Sequence, residues 1–264
     1  MKRNRHLISI DAQNDFCDPK GKLFVNGADE DMKRLATFIR KYGSNLTDVH
    51  STLDSHQTVH ISQPIFWINS KSEHPKPFTQ ITKDAVESGD WTTANPKWQP
   101  RAKHYVKELA DHGRYTLTIW PPHCLIGTFG HSLVPAIADA LYEWEEKNFN
   151  RVNFVAKGSN LFTEHYSAVQ ADVPDDSDPT TKLNVELIDI LSKADEIFIT
   201  GEALSHCLAN SITDVANNFG DENVKKFILL EDTSSSVPGF ENLGEKFVKD
   251  MKKRGMKSVK STDF

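Results

Sequence analysis

Glu196-Ile197-Phe198-Ile199-Thr200-Gly201 is a short apolar run ending at a glycine, and after Glu202-Ala203-Leu204-Ser205-His206 the chain continues as Cys207-Leu208-Ala209-Asn210-Ser211-Ile212. The first run reads as a buried parallel strand and the second as the start of a helix. A cysteine at such a strand-to-helix turn lies at the carboxyl edge of a sheet, with helix N-terminal amides aimed at it. That field favours the reactive thiolate. The competing reading is a buried structural cysteine, since free Cys is among the most buried residue types. Partners delivered to the same edge by other strands decide between the two.

Outward from this turn, short apolar runs alternate with amphipathic stretches. Candidate strands are 6–10, 46–52, 65–68, 116–120, 151–156, 196–201, 225–230 and 256–260; helical patterns fill 29–41, 101–112, 132–147, 181–193, 205–219 and 241–254. This alternation predicts an α/β fold, a doubly wound, mostly parallel central sheet with helices on both faces. We expect a single domain over 1–264 with an insert at about 63–113. Within it, residues 63–100 are rich in Pro, Ser, Thr and Lys and weakly periodic, which suggests a surface excursion serving as a lid or an oligomer contact. Pro174-Asp175-Asp176-Ser177-Asp178-Pro179 reads as a solvated acidic linker, lacking the glycine and distal glutamate of an EF-hand loop.

Composition narrows the function classes. With 264 residues, 38% hydrophobic and 26% charged content and a formal net charge of −6, the chain suits an ordinary soluble protein, and no basic stripe favours nucleic acid. The apolar run behind the basic start (Met1-Lys2-Arg3-Asn4-Arg5-His6) stops at Asp11, too short for a signal peptide, and no segment approaches the roughly 20 apolar residues of a membrane helix. Three cysteines (Cys17, Cys124, Cys207) make a disulfide framework improbable and a reducing cytoplasm the default compartment. Neither a Walker-type loop nor GxGxxG occurs.

Three strand ends carry an acid, a base and a thiol. Asp11 follows the first apolar run and Lys157 follows 151–156. Alone, Asp11 reads equally as a turn cap and Lys157 as a surface charge; with Cys207 they form a set in which lysine holds the carboxylate and lowers the thiol pKa. Aspartate then accepts the thiol proton and passes it to a leaving amine. A second set has metal-ligand character: Asp54 and His56 share one face of an extended segment, and His123, after another strand, supplies a third ligand. His50, His74, His104, His112, His131, His165 and His206 read as surface or satisfied groups.

Taken together, Ile10-Asp11-Ala12-Gln13-Asn14-Asp15-Phe16-Cys17, Asp54-Ser55-His56, Trp120-Pro121-Pro122-His123-Cys124 with Gly127-Thr128, Lys157-Gly158 followed by Tyr166-Ser167-Ala168, and Gly201-Glu202-Ala203-Leu204-Ser205-His206-Cys207 occur in that order. This series resembles the nicotinamidase/pyrazinamidase branch of the isochorismatase-like cysteine hydrolases. The resemblance implies a catalytic triad of Asp11, Lys157 and Cys207. It implies a divalent metal, zinc first with manganese or iron as alternatives, on Asp54, His56 and His123, with His60 an added ligand in some members. It implies a cis peptide between Glu202 and Ala203, an oxyanion hole from the Ala203 and Cys207 amides, and a pyridine site between Phe16 and Trp120 beside Tyr166. The implied activity is hydrolysis of nicotinamide to nicotinic acid and ammonia through a cysteine thioester, in NAD salvage. The substrate is a small amide, with no nucleic-acid or membrane partner and homo-oligomerisation left open. Alternatives are a related amidohydrolase acting on another small amide or carbamoyl compound, a non-catalytic binding protein on the same fold, and a thiol-redox protein pairing Cys207 with Cys124 or Cys17. The family usually reads Gly-Val/Ile-Ala-Thr-Asp-Tyr/His-Cys at the nucleophile; Glu202, Leu204 and Ser205 depart from it.

Overall fold

Strong apolar runs flanked by turn residues become the strands of one sheet. The computed structural model describes residues 3–112 and 115–264. Met1, Lys2, Gly113 and Arg114, and with them the far boundary of the expected insert, lie outside the described residues. In chain order the main elements are β1 (Arg5–Ile10), α1 (Ala28–Tyr42), β2 (Asp48–Asp54), α2 (Gln99–His112), α3 (Pro135–Asn148), β3 (Asn153–Lys157), α4 (Val185–Ser192), β4 (Glu196–Gly201), α5 (Cys207–Phe219), β5 (Phe227–Leu230), α6 (Glu241–Arg254) and β6 (Lys257–Val259). The sheet runs β6-β5-β4-β1-β2-β3 with every neighbouring pair parallel. The winding reverses between β1 and β4. In open α/β sheets the crevice beyond the carboxyl ends at such a reversal is where ligands bind.

Successive strand residues face opposite layers. Leu7, Val49 and Phe198 pack against Phe38 and Ile39 of α1 and Leu141 and Trp144 of α3. Ile8, Ile10, Ile199 and Leu229 pack instead against α4, α5 and α6 through Leu191, Leu208, Ile212 and Met251. Both faces of the sheet are therefore covered, as the apolar runs predict.

The excursion after β2 is more ordered than its composition suggests. Ile61, Phe66, Trp67, Ile81, Leu117 and Ile119 form a separate core with Ala102, Tyr105, Val106 and Leu109 of α2, whose spacing places them on one helix face. Two expected sheet strands belong here instead. In the run 65–68, Pro64–Phe66 is a 3-10 turn and only Trp67–Ile68 is strand, paired antiparallel with Thr92–Thr93. In the run 116–120, Leu117–Thr118 pairs antiparallel with Gln80–Ile81. Local apolarity does not distinguish a satellite core from the main one, and that is why both runs were assigned to the sheet.

Helix starts follow capping by nearby residues. α4 begins at Val185, later than its periodicity suggests, because Pro179–Thr181 forms a 3-10 turn and the Asn184 side chain caps the amide of Leu187. The acidic loop is tied down rather than solvated: Asp175 pairs with Arg101 of α2 and accepts from Asn160, which also bonds Asp178 at 2.9 Å.

Phe198 is fully buried at the centre of β4, with ring centroids of Phe38, Tyr42 and Phe264 at 5.5, 5.4 and 5.2 Å. Phe198→Ala is expected to destabilise the protein by about 3–5 kcal/mol in chemical denaturation, the range for opening a cavity at a buried aromatic.

Candidate active site

Asp11 stands immediately after β1 and adopts φ 45°, a left-handed conformation that Asp tolerates better than most residues. Thr52 of the neighbouring strand fixes it from both sides. The Thr52 hydroxyl accepts the Asp11 amide at 3.0 Å and donates to Oδ1 at 2.5 Å. Lys157, the last residue of β3, lies directly beside Asp54 in the β2–β3 register. Its buried Nζ is 2.9 Å from Asp11 Oδ2, 3.1 Å from Asp54 Oδ1 and 3.5 Å from Cys207 Sγ. Four strand ends thus meet at one ammonium group.

Cys207 is the first residue of α5. Burial pushes its thiol well up and the Lys157 charge opposes this, while Asp11 acts as its hydrogen-bond acceptor. Asp11 is itself raised, by burial first, with Lys157 pulling the other way and Asp54 adding to the rise. A carboxylate with a raised pKa is suited to taking a proton from the adjacent thiol. The Glu202–Ala203 peptide is cis. Among the described residues, neither the Ala203 nor the Cys207 amide donates to a backbone carbonyl.

The second group converges on the other Asp54 oxygen. His56 Nε2 and His123 Nε2 lie 2.9 and 3.2 Å from Asp54 Oδ2, with all three side chains buried. His123 Nδ1 bonds the Pro121 carbonyl at 2.8 Å, which fixes the tautomer and leaves Nε2 as a lone-pair donor. Gln13 holds Asp54 in place, its side chain exchanging two 2.8 Å bonds with the Asp54 backbone. At Gly158 φ is +82°, and a Cβ would lie 2.8 Å from Asp54 Oδ1, so only glycine leaves the carboxylate its room.

This donor set fits a divalent cation. Two imidazoles and a carboxylate are the usual ligands of zinc, and they suit manganese and iron as well. The surroundings also call for positive charge. Burial favours the neutral acid of Asp54, but His56 and Lys157 outweigh it and hold the group well below the usual carboxylate range. Burial likewise opposes ionisation of His56, yet Asp54 drives it up to about 9. A field that favours a proton on His56 favours a cation in its place.

His60 stands in a second buried group that shares His56 and could hold a cation. Its Nδ1 meets Ser62 Oγ at 2.8 Å and its Nε2 meets the Thr163 carbonyl at 3.1 Å, so both ring nitrogens are engaged. It clusters with His56 and Glu164, apart from Asp54 and His123.

A narrow cleft opens onto both groups, lined by Phe16, Leu23, Asp54, His56, Trp120, His123, Lys157, Glu164, Tyr166, Ala203, His206, Cys207 and Val237. Phe16, Trp120 and Tyr166 are among its walls. Trp120 Nε1 donates to Tyr166 Oη at 2.9 Å, which locks two walls together. His206, read from sequence as surface or satisfied, is a wall of this cleft, with Tyr115, Trp120 and Phe240 centroids 5.5, 5.5 and 5.0 Å away. Its adjacency to Cys207 in a tight turn was the available signal. Glu164 sits in an aperiodic loop and carried none. Among the other histidines, His50 bonds His6 and Asn153, in keeping with a satisfied group, while His165 accepts the Gly158 amide at Nδ1 and its buried Nε2 has no partner among the described residues.

No family model matches the chain. It is 26% identical to the nicotinamidase of Saccharomyces cerevisiae over 204 residues, 76% of each protein. The structure of yeast nicotinamidase bound to the inhibitor nicotinaldehyde aligns with a TM-score of 0.65 at 21% identity, over 97% of this chain and 99% of that one. The nicotinamidase/pyrazinamidase of Acinetobacter baumannii aligns with a TM-score of 0.62 at 20% identity, over 99% and 98% of the two chains. The pyrazinamidase of Pyrococcus horikoshii in complex with zinc aligns at 0.58 and 20% identity, over 97% and 99%. Over about three quarters of its length the chain is thus similar to a nicotinamidase, and it shares the fold of nicotinamidase and pyrazinamidase structures.

Proposed function

We propose that the protein hydrolyses nicotinamide to nicotinic acid and ammonia, with Cys207 as nucleophile. The observation that carries this reading is the contact of one buried ammonium, Lys157 Nζ, with Asp11, Asp54 and Cys207 at the floor of an aromatic-walled cleft. Similarity to the yeast nicotinamidase supports the choice of substrate.

The amide lies with its ring between Phe16 and Trp120 and its carboxamide over Cys207. Asp11 takes the thiol proton, and the thiolate attacks the carboxamide carbon. The amides of Ala203 and Cys207 hold the resulting oxyanion; one such donor is worth roughly 3 kcal/mol. Asp11 returns the proton to the departing nitrogen as the C–N bond breaks, releasing ammonia and leaving a thioester. Water then attacks the thioester, with Asp11 accepting its proton, and the acid leaves as Cys207 is restored. Lys157 keeps Asp11 in place and stabilises the thiolate throughout. Asp54, His56 and His123 would hold a divalent cation, zinc first, which supplies a Lewis-acid anchor for the ring nitrogen.

Ammonia release from nicotinamide is expected for the wild-type protein, and Cys207→Ala should lower it by about 10³-fold or more, the scale of losing a nucleophile. Circular dichroism of the variant should be unchanged. Release from other small amides but not from nicotinamide would move the substrate assignment while keeping the nucleophile.

Metal binding should track protonation of His56. The proton held there up to about 9 must leave before the nitrogen can coordinate. Apparent zinc affinity, measured by chelator competition, should therefore rise by about tenfold per pH unit between about pH 6 and about pH 8. Elemental analysis should find about one metal equivalent per chain, reduced in His123→Ala.

A further inference from the structure

Glu202 is the residue of the nucleophile turn that the chemistry above leaves unused. It is 0% exposed, enclosed by the turn itself, the start of α1 and the loop after β5. Ser235 of that loop binds all three: its amide donates to Glu202 Oε2 at 3.1 Å, its hydroxyl donates to Asp31 Oδ2 at 2.5 Å, and its carbonyl accepts the Leu204 amide at 2.8 Å. Asp31 in the first turn of α1 is also buried, and its Oδ1 accepts from Arg34 at 2.5 Å. Glu202 Oε1 is buried with no donor reaching it. The carboxylate close enough to act on it is that of Asp31, to which Ser235 links it. The other titratable groups near it are the buried thiol of Cys17, which follows β1, with Asp29 and Asp11 beyond. Among the described residues, no cation pairs with Glu202.

Two carboxyl groups share this pocket with a single guanidinium, and that guanidinium is taken by Asp31. The second carboxyl cannot remain charged without a partner and holds a proton instead. A protonated Glu202 also answers the orphaned oxygen, because an acid O–H can donate to Asp31 where a carboxylate could only repel it.

We propose that Glu202 is a neutral carboxylic acid at neutral pH, hydrogen-bonded to Asp31, and that this bond is a positioning device holding the Ala203 peptide against Cys207. The positioning half rests on the reading of Ala203 and Cys207 as oxyanion donors. The amide of Glu202 is fixed on the other side by the Ile10 carbonyl at 2.8 Å, so the turn is pinned both to β1 and, through the acid pair, to α1. Burial, with the charge of Asp31 added, raises the Glu202 pKa well above 4.5. The resembled family usually carries an apolar residue at this place, so the acid pair is a feature of this chain.

The sign of the pH effect follows. In the unfolded chain the carboxyl ionises near its ordinary value of 4.5; in the folded protein it keeps its proton to higher pH. Folding then takes up a proton, and the stability contribution of the neutral acid, full below the unfolded value, is lost as pH rises towards the folded one. Glutamine reproduces the shape, accepts from Ser235 and donates to Asp31 without titrating. Glu202→Gln is therefore expected to gain stability over the wild type as pH is raised from about 5 to about 8, approaching tenfold in the folding constant per pH unit. The wild-type protein should also show a carboxylic-acid infrared band that the variant lacks. A stability difference independent of pH, with no acid band lost, would mean an ionised Glu202 and would overturn the proposal.

Activity tests the positioning half on whichever amide the wild type turns over. Glu202→Ala should lower kcat by about tenfold or more with KM little changed, and Glu202→Gln should restore most of it. An unchanged kcat in Glu202→Ala would remove the positioning role. The stability and infrared measurements need no substrate, so failure of the nicotinamidase reading and failure of the acid pair are told apart.

Discussion

A lysine ammonium buried among three anionic or ionisable partners is the constraint on which the site depends. Lys157 Nζ has no water to solvate it, and an unpaired charge at that depth is expensive. It is tolerated because Asp11 and Asp54 reach it at 2.9 and 3.1 Å. The converse also holds, since two carboxylates this close would repel without the ammonium between them. Asp54 faces Lys157 with Oδ1 and the two histidines with Oδ2. Cys207 with Asp11 on one side and the Asp54, His56 and His123 cluster on the other are consequently one electrostatic unit through Lys157, and a change of charge in either is felt in the other.

The sheet order explains why these groups can meet. β1 lies at the reversal of winding, with β4 on one side and β2 on the other, and β3 flanks β2. The carboxyl ends of β1, β2, β3 and β4 thus deliver Asp11, Asp54, Lys157 and the turn to Cys207 onto one edge. Backbone conformation does the final placing. Asp11 turns at φ 45°, and Gly201 at φ 112° lets β4 pass so near β1 that any side chain there would strike the Ile10 backbone.

These strand ends were legible in the sequence because each combines a strong apolar run with a chemically distinct residue immediately after it. A short apolar run and a terminal Asp, Lys or Gly are local signals, and local signals survive in a one-dimensional reading. What was not legible depends on contacts between distant segments. Leu117–Thr118 has the apolarity of a sheet strand, yet pairs with Gln80–Ile81 because the excursion has a core of its own. His206 looks like any histidine before a helix until Tyr115, Trp120 and Phe240 close around it. The tie between Asp175 and Arg101 joins the acidic loop to α2 across 74 positions of sequence, and no composition rule predicts it.

The excursion bears directly on the cleft. The Trp120 amide donates to the Ser62 carbonyl at 2.8 Å, and Ile119 exchanges backbone bonds with the 78–79 segment. Phe78 meets the Trp120 ring edge-on at 5.8 Å. Trp120 therefore has one face in the cleft wall and its backbone anchored in the satellite core. An aromatic wall immobilised beforehand costs less to order when a ligand enters the cleft than a mobile one would. The satellite core, the Tyr166 hydroxyl and Phe78 each restrict that ring. The excursion thus shapes the cleft through Trp120 and carries His123 three residues further on, while Asp11, Asp54 and Lys157 are held by the strands of the main sheet.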